Sequence, residues 1–138
     1  DALKEYAEAG IVLALLTGQE VPSPEELDVN FATYLKGLAE AGGELRRRCL
    51  DILRDGYSAE AERILAHMDD IFAVLVTMDY PDAITGGLRR LTDIARSINE
   101  RTRGDLTINL RQAHLEKSLE RLQSSLSALE DGMEPPGA

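Results

Sequence analysis

The spacing of apolar residues along the chain predicts a protein built almost entirely of α-helices. Residues 6–16 are apolar except for Glu8, and this run ends at Gly18, a residue type that often terminates helices. Ser58 is a good N-cap for a later apolar stripe at helical spacing. No segment of useful length alternates as a half-buried strand does. The pattern predicts an all-α bundle of about five helices, at 1–17, 31–54, 58–77, from Asp82 or Thr85 to 102, and 106–129.

The last predicted helix carries a leucine seam. Its leucines are spaced 4, 3, 4 and 3 residues apart, which is the a/d pattern of a coiled coil, at Leu115, Leu119, Leu122, Leu126 and Leu129. The seam covers about two heptads, fewer than the three to four that identify a coiled coil. We therefore expect it to pack on another helix of the same subunit, and a free-standing zipper is the alternative.

Length and composition agree with a single helical domain. The chain has 138 residues, of which 43% are hydrophobic and only 4% aromatic. That balance supports a buried core but does not favour a β-sandwich or barrel. Residues 1–130 are expected to form one domain, and residues 131–138, with a glycine and two prolines, a flexible tail.

Charge is distributed unevenly along the chain. The formal net charge of −10 lies entirely in residues 1–82, whereas residues 83–138 are neutral overall and contain a locally basic stretch. The single cysteine, Cys49, aligns with apolar positions and is expected in the core. One cysteine excludes an internal disulfide framework, and no run is long enough to span a membrane. We expect a cytoplasmic protein without membrane association.

Two pairs of glutamates are candidates for chemistry. Glu5 and Glu8 are three residues apart on the first helix, and Glu40 and Glu44 are four apart on the second, so each pair shares a helix face. Four carboxylates from two neighbouring helices can bind Mg²⁺ or Mn²⁺ through oxygen. Gly37 and Ala41 lie on the same side as the second pair and would let another helix approach closely. The alternative is a solvated helix face on which Glu44 pairs with Arg48.

Basic clusters at residues 46–48 and 89–90 are candidates for binding a phosphate backbone. A salt-bridged surface is the alternative for each cluster. The chain contains no glycine-rich phosphate loop and no zinc-ligand spacing.

Several segments, taken together, resemble the translin family, in particular its archaeal members and translin-associated protein X (TRAX). Residues 4–9 read K-E-Y-A-E-A and are similar to the family segment Q-E-Y-V-E-A. Residues 34–47 read Y-L-K-G-L-A-E-A-G-G-E-L-R-R and are similar to Y-L-x-G-L-x-D-x-x-G-E-L-x-R. Residues 79–90 and 100–105 look like the archaeal version of the family. The resemblance covers residues 1–106.

The resemblance implies an all-α, translin-like fold and assembly of identical subunits into a closed, roughly octameric shell. TRAX-type subunits are metal-dependent endoribonucleases, whereas translin-type subunits bind single-stranded RNA or DNA without cutting it. The acidic site of the TRAX type corresponds to Glu5, Glu8 and Glu40, with Glu44 beside them. The resemblance therefore predicts a Mg²⁺- or Mn²⁺-dependent endoribonuclease for single-stranded RNA, with single-stranded DNA as a further ligand. Arg47, within a matching segment, and Arg89 and Arg90, by local inference, would contact the phosphates.

Two departures from the family pattern bear on this prediction. The family usually has Asp at the position of Glu40, and the extra methylene shifts the carboxylate. Family members also begin with an N-terminal helical hairpin that precedes the first acidic motif. Two alternatives remain: a non-catalytic, translin-type nucleic-acid-binding protein, and a structural subunit whose leucine seam docks a second protein.

Overall fold

The computed structural model describes residues 2–77, 87–133 and 135–137. These residues form four α-helices and no strand, so the all-α prediction is confirmed. The helices are α1 (Ala2–Thr17), α2 (Phe31–Leu53), α3 (Ala59–Thr77) and α4 (Leu88–Met133). The expected start of the fourth helix at Asp82 or Thr85 lies outside the described residues. No helix of the described residues is long and apolar enough to cross a membrane.

Helix α2 is the centre of the bundle. It packs against α1, α3 and α4, and α3 also packs against α4. Its inner face buries Leu35, Leu38, Leu45 and Cys49 almost completely. Cys49 is therefore a core residue, as predicted, and burial is the main cause that raises the pKa of its thiol. Helix α2 begins where the sequence offers an N-cap residue, since the Asn30 side chain accepts a hydrogen bond from the backbone N–H of Thr33.

Helix α1 lies against α2 through one face only. Ala7, Ile11 and Ala14 are buried, but Leu13, in the same apolar run, is 62% exposed. The contact is close because Gly37 has no side chain: a Cβ there would lie 2.9 Å from the Cβ of Ala7. The expectation that Gly37 admits a neighbouring helix is confirmed, and the crossing places Glu8 on α1 beside α2.

The predicted fourth and fifth helices form one continuous helix of 46 residues, so the break expected near Gly104 was wrong. Glycine costs about 1 kcal/mol in a helix interior, but tertiary contacts hold the helix on both sides of this position. Arg46 Nη1 on α2 donates to Thr102 Oγ1 at 2.8 Å and to Asp105 Oδ2 at 3.0 Å. The Asn99 amide donates to the Met68 carbonyl at 2.9 Å. These contacts outweigh the local preference of glycine.

The second half of α4 extends beyond the bundle. From residue 111 to 133 every side chain except Ala113 is exposed, and the five seam leucines are 51–63% exposed. Within the described residues the seam does not pack on another helix of the subunit, so that expectation was wrong. The helix also continues to Met133, beyond the expected start of the tail at Asp131.

Candidate metal and nucleic-acid site

The crossing of α1 and α2 brings two carboxyl groups together. The pKa of Glu8 is raised above its ordinary value of 4.5, first by burial, then by the negative charge of Glu40 and a hydrogen bond with the Glu40 side chain, and further by the charge of Glu44. Glu8 is half-buried because it lies on the face of α1 that turns towards α2. Neighbouring carboxylates in such a place repel one another unless they share a proton or a cation.

Lys4 is the cation that the structure places at this pair. Its Nζ lies 2.9 Å from Glu40 Oε1, and its pKa is raised first by Glu40 and further by the charges of Glu5 and Glu8. Lys4 precedes Glu8 by one helical turn, so the sequence spacing showed that the two share a face. The spacing did not show that the ammonium reaches across to α2. This residue was missed as a member of the site.

The four predicted glutamates are placed unequally. Glu8 and Glu40 form the close pair, and Glu44 lies one turn further along α2 and acts on Glu8 through its charge. Glu5 is exposed on α1 and acts on Lys4. Glu44 and Arg48 do not form the alternative ion pair, because Arg48 lies 4.0 Å from Glu60 instead.

The carboxylate oxygens at this site are suitable ligands for a hard divalent cation, but their arrangement provides only part of a coordination shell. Carboxylate oxygens are the ligands that Mg²⁺ and Mn²⁺ prefer. Among the described residues, no three or more His, Cys, Asp or Glu side chains are arranged so that they could hold a metal ion. The pair Glu8 and Glu40 matches the commoner Mg²⁺ arrangement, in which the protein supplies one or two carboxylates and water or substrate phosphate supplies the rest.

The three arginines at the end of this acidic face have different surroundings. Arg46 is half-buried and pairs with Asp105 at 3.0 Å, and Arg48 faces Glu60. Arg47 is exposed and forms no ion pair within the part of the chain that the structure describes. Because it is three residues beyond Glu44, Arg47 continues the face that carries Glu40 and Glu44.

A second basic surface lies on the first turns of α4. Arg89, Arg90 and Arg101 line an open groove of about 680 Å³ together with Asp93 and Ser97. Asp93 forms an ion pair with Arg96, and the three groove arginines have no ion-pair partner among the described residues. Arg101 was not identified from the sequence, although its spacing of eleven residues from Arg90 corresponds to about three helical turns and one shared face.

Comparison with known proteins shows what this chain is similar to. No family model matches the chain. An uncharacterized protein of Methanocaldococcus jannaschii is 35% identical over 125 residues, which are 90% of this chain and 56% of that protein. The solved structure of AfC3PO with duplex RNA matches with a TM-score of 0.73 at 35% identity, and the crystal structure of AfC3PO with 0.72 at 34%. C3PO is of the translin and TRAX type. The chain resembles the translin family in sequence and in fold.

This translin-like chain spans little more than half the length of the relatives that it matches. The structural match covers 83% of this chain and 60% of the AfC3PO chain in both structures. The family resemblance drawn from the two acidic motifs is thus confirmed in fold.

The close carboxyl pair predicts that the stability of this translin-like protein depends on pH. Since the pKa of Glu8 is raised in the folded state, the folded chain holds this proton to a higher pH than the unfolded chain does. The free energy of unfolding therefore falls as pH rises above about 4.5, the unfolded value. Glu8→Gln, which cannot ionise, should raise Tm by about 1–3 °C at pH 7 and leave it unchanged at pH 3.5.

Thermal unfolding in EDTA at both pH values measures this difference. Glu120→Gln, at an exposed position of α4, is the matched control and should change Tm at neither pH. An equal rise at pH 3.5 and pH 7 for Glu8→Gln would show that the charge of Glu8 is not the cause.

Proposed function

We propose that this chain binds RNA through its arginine surfaces and hydrolyses single-stranded RNA with Mg²⁺ or Mn²⁺ at the Glu8–Glu40 pair. The observation that carries the proposal is the close carboxyl pair on the α1–α2 crossing, half-buried Glu8 beside exposed Glu40, with Arg47 on the same face of α2. The similarity to AfC3PO, whose structure was solved with duplex RNA, supports RNA as the ligand. Single-stranded DNA is a further ligand to test.

Each side chain has a separate task in this proposal. Glu8 and Glu40 would hold the cation, and Glu44 and Glu5 would add negative charge that favours it. Such a cation lowers the pKa of a bound water and offsets charge on the phosphate oxygens. Lys4 neutralises Glu40 when no divalent ion is bound, and Arg47 contacts the phosphate that lies next to the carboxyl pair. Arg89 and Arg90 hold a more distant part of the strand.

A non-catalytic RNA-binding protein of the translin type is the second candidate. It is favoured by the ammonium of Lys4, which lies 2.9 Å from Glu40 and supplies a positive charge to the carboxyl pair without a metal. The two candidates differ in divalent-cation binding. Mn²⁺ raises the Tm of the protein in the first case and has no specific effect in the second.

Binding to RNA should depend on the groove of α4. Arg90→Glu combined with Arg101→Glu is expected to weaken binding of a labelled single-stranded RNA at least about tenfold. It should also reduce the salt slope by about 1 to 2, because each phosphate contact that is lost lowers the number of counterions released on binding. Fluorescence anisotropy across a salt series measures both quantities, with duplex RNA as a second ligand.

The matched control for this measurement is Lys117→Glu combined with Arg121→Glu, which makes the same change of charge on the exposed second half of α4. The control should keep most of the wild-type slope. Equal weakening in both double variants would mean that net charge, and not the groove, determines binding. A wild-type protein that binds neither RNA would refute the proposed function itself.

A further inference from the structure

Lys4 places a positive charge where the proposed site would hold a metal ion. Its Nζ lies 2.9 Å from Glu40 Oε1, and the Glu40 side chain also forms a hydrogen bond with that of Glu8. The ammonium is therefore bound to one of the two carboxylates that would hold the divalent ion. An ion on the same carboxylate would lie a few ångströms from the ammonium, and like charges at that distance repel strongly.

The backbone of Lys4 is fixed at the crossing of α1 and α2. A Cβ at Gly37 would lie 3.2 Å from the carbonyl oxygen of Lys4, and Gly37 precedes Glu40 by three residues on the same face of α2. The Lys4 side chain is only 25% exposed. A metal ion that displaces the ammonium from Glu40 therefore leaves the positive charge close by, because the side chain is attached at the crossing itself.

The carboxylates that act on Lys4 belong to the proposed site. Its pKa is raised first by Glu40 and further by Glu5 and Glu8. Glu8 is the second proposed ligand, and exposed Glu5 adds negative charge to the same site. An ammonium displaced from Glu40 thus moves towards one of these two. In either place it offsets negative charge that would otherwise attract the divalent ion.

We propose that Lys4 is a built-in competitor of the divalent cation and weakens its binding to the Glu8–Glu40 pair. The inference rests on the proposed function, because it concerns the metal ion of that site. Lys4 stands where the resembling family segment has Gln, and Glu40 where the family usually has Asp, so both members of the ion pair depart from the family pattern. The site should fill only at a higher concentration of free Mg²⁺ or Mn²⁺ than it would without the ammonium.

Mn²⁺ binding to the protein alone, without RNA, tests the competition. Lys4→Gln should lower the Kd for Mn²⁺ at least about tenfold at low salt, because a divalent and a single positive charge about 5 Å apart repel by that much even in water. Electron paramagnetic resonance of free Mn²⁺ measures the Kd. Lys4→Arg keeps the charge and should not tighten binding. Lys117→Gln, the matched control, removes a charge from the exposed second half of α4 and should leave the Kd unchanged.

A double-variant cycle locates the effect at the carboxyl pair. In a Glu8→Gln background, Lys4→Gln should lose most of its tightening, because the ion no longer has both ligands. Lys4→Met, a second neutral variant, should act as Lys4→Gln does, and Tm in EDTA shows whether each variant is folded.

The possible failures of this inference and of the metal site are distinguishable. Equal Mn²⁺ affinities of the wild type and both neutral variants would overturn the inference and leave the site standing. Equal tightening by Lys4→Arg, or tightening that persists in the Glu8→Gln background, would also overturn the inference. Absence of Mn²⁺ binding by the wild type and the neutral variants alike would overturn it together with the proposed metal site.

Discussion

Glu8→Gln should reduce Mn²⁺-dependent cleavage of a labelled single-stranded RNA by about 100-fold or more, a loss of about 2.7 kcal/mol in transition-state stabilisation. The amide keeps the shape of the side chain but removes the charge that would hold the cation. It also leaves Glu40 paired with Lys4 alone, at 2.9 Å. Cleavage is followed as product formed per minute, with enzyme in excess and at constant RNA occupancy.

Metal binding gives this prediction a readout that does not depend on activity. At pH 7 Mn²⁺ should raise the Tm of the wild-type protein, and an ion at 100 times its Kd adds about 2.7 kcal/mol to the free energy of unfolding. Glu8→Gln should lose most of that increase, while Glu120→Gln should retain both the increase and the cleavage. Wild-type protein that binds RNA but shows neither cleavage nor a Tm response to Mg²⁺ or Mn²⁺ would favour the non-catalytic candidate.

Gly37→Ala should destabilise the protein even though alanine is the better helix former. The new Cβ would lie 2.9 Å from the Cβ of Ala7, 3.1 Å from the backbone N of Glu8 and 3.2 Å from the carbonyl oxygen of Lys4. Two of these contacts are with backbone, so helix α1 itself must move away. Overpacking of this kind costs about 1–3 kcal/mol. The better helix propensity of alanine gains only about 1 kcal/mol, so over most of that range the cost exceeds the gain.

The same helix offers a control for this substitution. A Cβ at Gly43 would meet nothing within 4 Å, so Gly43→Ala should raise the free energy of unfolding by about 0.5–1 kcal/mol. Chemical denaturation measures both changes. Because Gly37→Ala displaces the backbone that carries Lys4 and Glu8, it should also reduce the Tm response to Mn²⁺. Equal stabilisation by both alanines would contradict the close approach of α1 and α2.

Part of the carboxyl site could be predicted from sequence because it depends on regular spacing within one helix. Glu40 and Glu44 share a face by helical geometry, and Gly37, on the same side, marked where another helix could come close. The position of the Lys4 ammonium could not be predicted. Spacing allowed Lys4 to pair with Glu8 on its own helix, and only the separation of α1 from α2 determines that it reaches Glu40.

The arginines show the same division between local and tertiary information. Three consecutive residues on a helix point about 100° apart, so on a helix that packs against three others Arg46, Arg47 and Arg48 do not share one environment. Which one pairs with Asp105 and which one stays exposed depends on where α4 crosses α2. The continuity of α4 through Gly104 has the same origin, since the contacts made by Thr102 and Asp105 are remote in sequence.

The second half of helix α4 also determines how the protein moves through solution. At 1.5 Å per residue, the segment from residue 111 to 133 extends about 35 Å, which is close to the diameter of a small domain. A particle with such an arm experiences more friction than a sphere of equal mass, so a single subunit should elute from a gel-filtration column ahead of globular standards of 15.1 kDa. Apparent size on a column will therefore exceed true mass even without association, and only a shape-independent mass can distinguish the arm from a partner.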